Sequence, residues 1–118
     1  MVTLIANLSV GKGTWGHVGR LIEDPQWDKI ILLTNEYGKE NFNKNDKAEF
    51  LVVNPGSGLQ ELRDDMYKSL KEKITDSEVA VNFISGSGKE HMALIAALLK
   101  LGVGIRLIAL TKEGIKEI

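Results

Sequence analysis

The strongest constraint in this 118-residue chain is a set of short, unbroken apolar runs. The clearest is Ile30-Ile31-Leu32-Leu33, which opens at Lys29 and closes in the polar Thr34-Asn35-Glu36. A strand with one wet face alternates apolar and polar residues, whereas a strand covered on both faces reads as a continuous run. Comparable runs occupy residues 3–8, 49–53, 78–84 and 104–110. Helical periodicity fills most of the gaps. Trp15, Val18 and Ile22 recur at helical spacing with Leu21 beside them, and Asp24-Pro25 stops that segment. Leu59, Leu62, Met66, Leu70 and Ile74 mark one apolar face of a second helix, whose other face is charged. A third helix runs over residues 90–101, with Gly102 as its stop. Residues 37–48 are charged and Asn-rich, and read as a surface loop or a frayed helical turn.

Strands that alternate with helices predict an α/β fold. The expectation is a Rossmann-like three-layer sandwich with a mostly parallel five- or six-stranded sheet. Thr111-Lys112-Glu113-Gly114 is a turn signal, so residues 115–118 are expected to add a strand as a C-terminal hairpin. At this length residues 1–118 read as one domain. The chain has no cysteine, which removes disulfides, thiolate metal sites and Cys nucleophiles. Fifteen basic against sixteen acidic residues argue against broad binding to a duplex nucleic acid. No segment approaches the ~18–20 apolar residues of a membrane span, and the N-terminus lacks a basic leader pattern. The chain is therefore expected to be soluble and cytoplasmic, with no membrane partner.

Right-handed crossovers place the loops that follow parallel strands along one sheet edge, where α/β folds bind ligands. Residues 9–17, 34–38, 54–58 and 85–91 meet that description, and all are rich in Gly, Ser, Asn, Thr or Lys. Two of them carry motifs. Gly11-x-Gly13-x-x-Gly16, with Glu36 twenty residues further on, matches a dinucleotide fingerprint; its alternative is a loop whose glycines only permit turns. Ser85-Gly86-Ser87-Gly88-Lys89 is not a Walker A loop, because Lys89 is followed by Glu90. Its small residues, the helix N-terminus behind it and the Lys89 ammonium nevertheless favour an anion. The alternative is a turn that only caps the helix. His17 and His91 fall near the same edge as cap, phosphate-contact or proton-transfer groups, and their spacing argues against a metal. The helix from Met92 to Leu101 is apolar almost all round, apart from Lys100. A helix on one sheet needs only a stripe, so residues 90–101 are expected to face a second subunit.

The stretch from Val79 to Ile108 resembles the C-terminal motif of the CRISPR-associated Rossmann-fold (CARF) domains. In that family a strand ends in a loop of the type Asp/Asn-x-Ser/Thr-x-x-x-Lys/Arg, followed by a hydrophobic helix and a Gly-x-Arg strand. Ser85 and Lys89 fit the loop; Phe83 stands in the Asp/Asn slot, with Asn82 one place earlier. Residues 9–16 match the family's other ligand loop in position, and residues 111–118 its terminal hairpin. The chain reads as a stand-alone, single-domain member. The resemblance implies a homodimeric sensor of an antiviral CRISPR-type defence system that binds a cyclic oligoadenylate across its two-fold axis, with no separate cofactor. Expected ligand contacts are Ser9, Lys12, Thr14, Asn35, Glu36, Ser85, Gly86, Ser87, Gly88 and Lys89. Some relatives also cleave the ring. In that metal-independent ring-nuclease form a ligand 2′-hydroxyl attacks its own phosphate, and Lys89 stabilises the developing charge. The competing readings are an NAD- or mononucleotide-binding module built on Gly11, Gly13, Gly16 and Glu36, and a ligand-free interaction domain.

Overall fold

A computed structural model describes residues 2–8 and 12–118, with the side chain of Lys12 outside the description. The described residues form six strands: β1 (Thr3–Asn7), β2 (Lys29–Thr34), β3 (Ala48–Val52), β4 (Glu78–Asn82), β5 (Gly104–Thr111) and β6 (Gly114–Glu117). Four α-helices lie between them: α1 (Trp15–Ile22), α2 (Glu36–Asn41), α3 (Leu59–Lys73) and α4 (Gly88–Leu101). One 3-10 turn, Lys12–Thr14, leads into α1. The strands form one sheet in the order β3-β2-β1-β4-β5-β6. The first five run parallel, and β6 returns antiparallel to β5 through the turn that pairs Thr111 with Gly114. This is the expected α/β fold with its C-terminal hairpin.

The continuous apolar runs are explained by two cores, one on each face. Ile5, Ile31, Leu33, Val79 and Val81 pack under Leu62, Met66 and Leu70 of α3 and Ala93, Leu94, Ala97 and Leu98 of α4. On the opposite face Leu4, Ala6, Ile30 and Leu32 pack under Val18, Leu21 and Ile22 of α1, together with Trp27 and Phe42. Trp27 is fully buried, and its indole N–H is satisfied by the carbonyl of Leu21 at 2.8 Å. Among the described residues no helix is long and apolar enough to cross a membrane.

Three of the boundaries that differ from the sequence pattern have a clear local reason. The segment from residue 37, read as a surface loop or a frayed helical turn, opens as the six-residue helix α2. It has no apolar periodicity; it is set by the Asn35 Oδ1 cap on the Gly38 N–H at 3.0 Å. A Cβ at Gly38 would also overlap Thr34 Oγ1, so only glycine lets α2 approach β2 here. Strand β4 stops at Asn82 rather than Ile84, because Asn82 Oδ1 accepts from the Ile84 N–H at 3.2 Å and turns the chain. Helix α4 begins at Gly88 rather than Glu90. Ser87 and Glu90 form a reciprocal capping box that starts it two residues earlier.

Candidate functional site

The order 3-2-1-4 reverses direction between β1 and β4, and in open α/β sheets that switch point is where a crevice opens at the carboxyl edge. Here the edge is built by the end of β1 and by residues 83–87, which lead from β4 into α4. Strand alternation puts Asn7 on the same face as Ile5, towards α3 and α4. Gly86 crosses directly above it with φ of +100°. A Cβ on Gly86 would lie 3.2 Å from Asn7 Cβ and 3.2 Å from His91 Nε2, so this crossing demands glycine on both counts.

His91 holds the crossing in place. Its Nε2–H donates to the Ser85 carbonyl at 2.8 Å, and its ring packs 4.9 Å from Phe83. Ser85 itself is buried. The Ser87 hydroxyl is drawn into the cap, accepting from the Glu90 N–H and donating to Glu90 Oε1 at 2.9 Å. The Ser87 N–H donates to Glu90 Oε1 at 3.1 Å and its carbonyl accepts from the His91 N–H, so Ser87 is spent on the helix cap, side chain and backbone alike. The Glu90 carboxylate also takes up part of the positive field of the helix terminus. What remains for an anion is the first-turn N–H groups of Gly88 and Lys89, which have no acceptor within a helix, and the Lys89 ammonium. Lys89 Nζ donates to the carbonyl of Pro55 at 3.0 Å, across to the loop after β3.

Pro55 also lines a groove of about 830 Å³ between the ends of β2 and β3 and helix α3. Asn35, Glu36, Tyr37 and Asn54 line one part of it, and Asp65 and Lys68 another. The sequence candidates thus divide into two groups. Ser85, Gly86, Ser87, Gly88 and Lys89 gather around the switch point, while Asn35 and Glu36 belong to the adjoining groove, with Lys89 bridging to its rim. Asn35 is already engaged as the α2 cap. Thr14 ends the 3-10 turn at the mouth of α1. Ser9 and Gly11 lie outside the described residues, as does the side chain of Lys12.

Of the dinucleotide fingerprint, Gly11 lies outside the described residues, and Gly16 lacks the role the motif gives it. The motif's third glycine should press the helix against the strand. Gly16 is exposed, and a Cβ there would meet nothing within 4 Å. Asn82, one place before the Asp/Asn slot, and His17, expected near the ligand edge, form a structural pair on the α1 face. Asn82 Nδ2 donates to the Ile108 carbonyl at 2.8 Å and to His17 Nε2 at 3.2 Å. The Leu110 N–H donates to the same nitrogen at 3.3 Å. Two donors fix Nε2 as an acceptor, so the ring proton sits on Nδ1, and burial lowers the His17 pKa below its ordinary value. Among the described residues no three His, Asp or Glu side chains converge as a metal cluster.

The fold has a counterpart among solved structures. The chain superimposes on Enterococcus italicus Csm6 in complex with cyclic hexa-2′-fluoro-hexa-dAMP, with a TM-score of 0.66 and 16% identity over 95% of this chain. It spans about a third of that protein, 34% of its length. A weaker likeness, TM-score 0.46 and 10% identity, covers 90% of this chain and 90% of the C-terminal domain of a Pyrococcus furiosus hydrogenase. No protein-family model and no curated protein matches the sequence.

Proposed function

We propose that this chain is a cyclic oligoadenylate-binding domain of the CARF type that works as a homodimer, with the ring lying over the carboxyl ends of β1 and β4. The observation that carries the reading is the glycine crossing at the switch point. Gly86 is held over Asn7 by His91, and the first turn of α4 and Lys89 follow it. Phosphate groups suit that turn, because its N–H groups lack helical acceptors and the Lys89 ammonium, now on the Pro55 carbonyl, extends from the same turn. The likeness to a Csm6 bound to a cyclic adenylate analogue supports the same ligand class here. A ring placed across a two-fold axis needs a second copy. The outer side of α4 supports that need: Met92, Ile95 and Leu99 are exposed on it, beside a shallow apolar cleft that includes Ile84 and Leu107.

The enzymatic form of the proposal is a ring nuclease. A 2′-oxygen bonds to the adjacent phosphorus as the bond to the 5′-oxygen breaks. The proton lost from the 2′-hydroxyl is balanced by the one gained at the 5′-hydroxyl, and a 2′,3′-cyclic phosphate remains. Lys89 would stabilise the charge that develops on phosphorus-bound oxygen.

Thermal-shift and calorimetric titrations with cyclic tetra-adenylate, cyclic hexa-adenylate, NAD and ATP test the reading. A cyclic adenylate at 100 times its Kd should stabilise the fold by about 2.7 kcal/mol. Lys89→Ala should weaken binding by about 1.5–3 kcal/mol, as expected for a hydrogen bond to a charged group. A chain that ignores both rings, or responds equally to NAD, removes the proposal. Equal affinity in the Lys89→Ala protein returns that lysine to a surface role.

A further inference from the structure

Among the described residues, the only buried side-chain polar atoms without a hydrogen-bond partner are Nδ2 and Oδ1 of Asn7. The residue is 0% exposed. The other buried amide, Asn82, has its donor and its acceptor both engaged. An amide left unsatisfied in a protein interior is costly, and native folds rarely carry one without a use for it. This one stands at the end of β1, at the switch point, directly beneath Gly86 and the mouth of α4.

The chemistry of the amide limits what completes it. A phosphate offers only acceptors, so it would satisfy Nδ2 and leave Oδ1 orphaned. A cation would do the reverse. A single ligand group satisfies both atoms only if it carries a donor and an acceptor side by side. In an adenylate those are a ribose hydroxyl, or the adenine edge that pairs its 6-amino group with a ring nitrogen. We infer that Asn7 is the specificity-determining residue of the site, reading the nucleoside part of the ligand while the first turn of α4 and Lys89 take the phosphate. The inference rests on the ligand class proposed above and assigns to Asn7 the discrimination among rings of that class. It also accounts for Gly86, since a side chain there would press on Asn7 and on the His91 that fixes the loop.

The test uses Asn7→Leu, which keeps the shape of the side chain and removes both polar atoms. Binding is measured by calorimetry for wild type and variant with three rings: cyclic tetra-adenylate, its 2′-deoxy analogue and its inosine analogue. Wild type should favour the adenylate ring over one of the two analogues by about tenfold or more, the range of a good bidentate pair. Preference over the deoxy ring assigns the hydroxyl as the group read, and preference over the inosine ring assigns the base edge. Asn7→Leu should abolish that preference while melting at the same temperature as wild type or above, because an unsatisfied amide has gone. A second readout avoids the variant: in wild type the Asn7 side-chain amide resonances should shift, and exchange more slowly with solvent, when cyclic tetra-adenylate is added. If the variant keeps the wild-type preference, or melts well below wild type, or the amide resonances stay in place on saturation, the inference is overturned. Wild type that binds none of the three rings overturns the ligand class itself, a different result from binding without discrimination.

Discussion

Single residues in this fold are held by acceptor and donor arithmetic more than by charge. His17 illustrates it. Its Nε2 accepts from both the Asn82 amide and the Leu110 N–H, so protonating that nitrogen breaks two contacts at once. Burial holds its folded-state pKa below the ordinary value of 6.5. The unfolded chain then binds the proton more readily than the folded one between the lowered value and 6.5, so stability rises with pH across that window. The contribution is complete above about pH 6.5 and is lost as pH falls through the folded value. His17→Gln keeps a neutral acceptor at that place. Urea midpoints measured from pH 7.5 down to pH 5 should fall for wild type and fall less for the variant. Parallel curves would mean that His17 does not couple protonation to folding.

At the scale of elements, helix α4 is defined at its start by chemistry and at its end by backbone conformation. Ser87 and Glu90 satisfy each other's N–H groups, and Gly102 closes the helix at φ +77°. Ser87→Ala should cost about 0.5–2 kcal/mol in denaturant titrations. It should leave ligand affinity within a factor of about three, because the serine hydroxyl and N–H are both committed to the helix cap. A large loss of affinity with unchanged stability would instead make the Ser87 hydroxyl a ligand contact. The same helix shows what the sequence made legible. The unbroken runs at Ile30–Leu33 and the spacing of Leu62, Met66 and Leu70 announce strands and a helix, because burial on both faces or on one stripe leaves a periodic trace. Helix α2 leaves none, since it rests on one asparagine cap and one glycine contact. The Ser85–Lys89 loop was visible because small residues and a lysine before a helix are unusual together. Asn7 was not: a lone amide at a strand end looks the same whether it is solvated or buried. Only the passage of Gly86 above it, brought there by a strand distant in sequence, decides which.

At the scale of the whole molecule, α4 divides its apolar residues between two duties. Ala93, Leu94, Ala97 and Leu98 close the protomer's own core, whereas Met92, Ile95 and Leu99 remain outside, Leu99 at 66% exposure. Leu99→Lys should therefore leave the chain folded and, for the proposed dimer, shift sedimentation at micromolar concentration to monomer. Leu98→Lys, one residue earlier, should unfold the chain, because it places an unpaired charge in the interior. A Leu99→Lys protein that sediments like wild type would place any dimer contact elsewhere. The strand order has a consequence in time as well as in space. Strand β1 acquires its second neighbour only when Leu4 pairs with Ala80, across most of the chain. Closing so long a loop is an entropic cost that local contacts cannot repay in advance. The crevice in which Asn7 meets Gly86 thus does not exist until β4 has docked, and a chain still emerging during synthesis lacks the surface proposed to hold the ring.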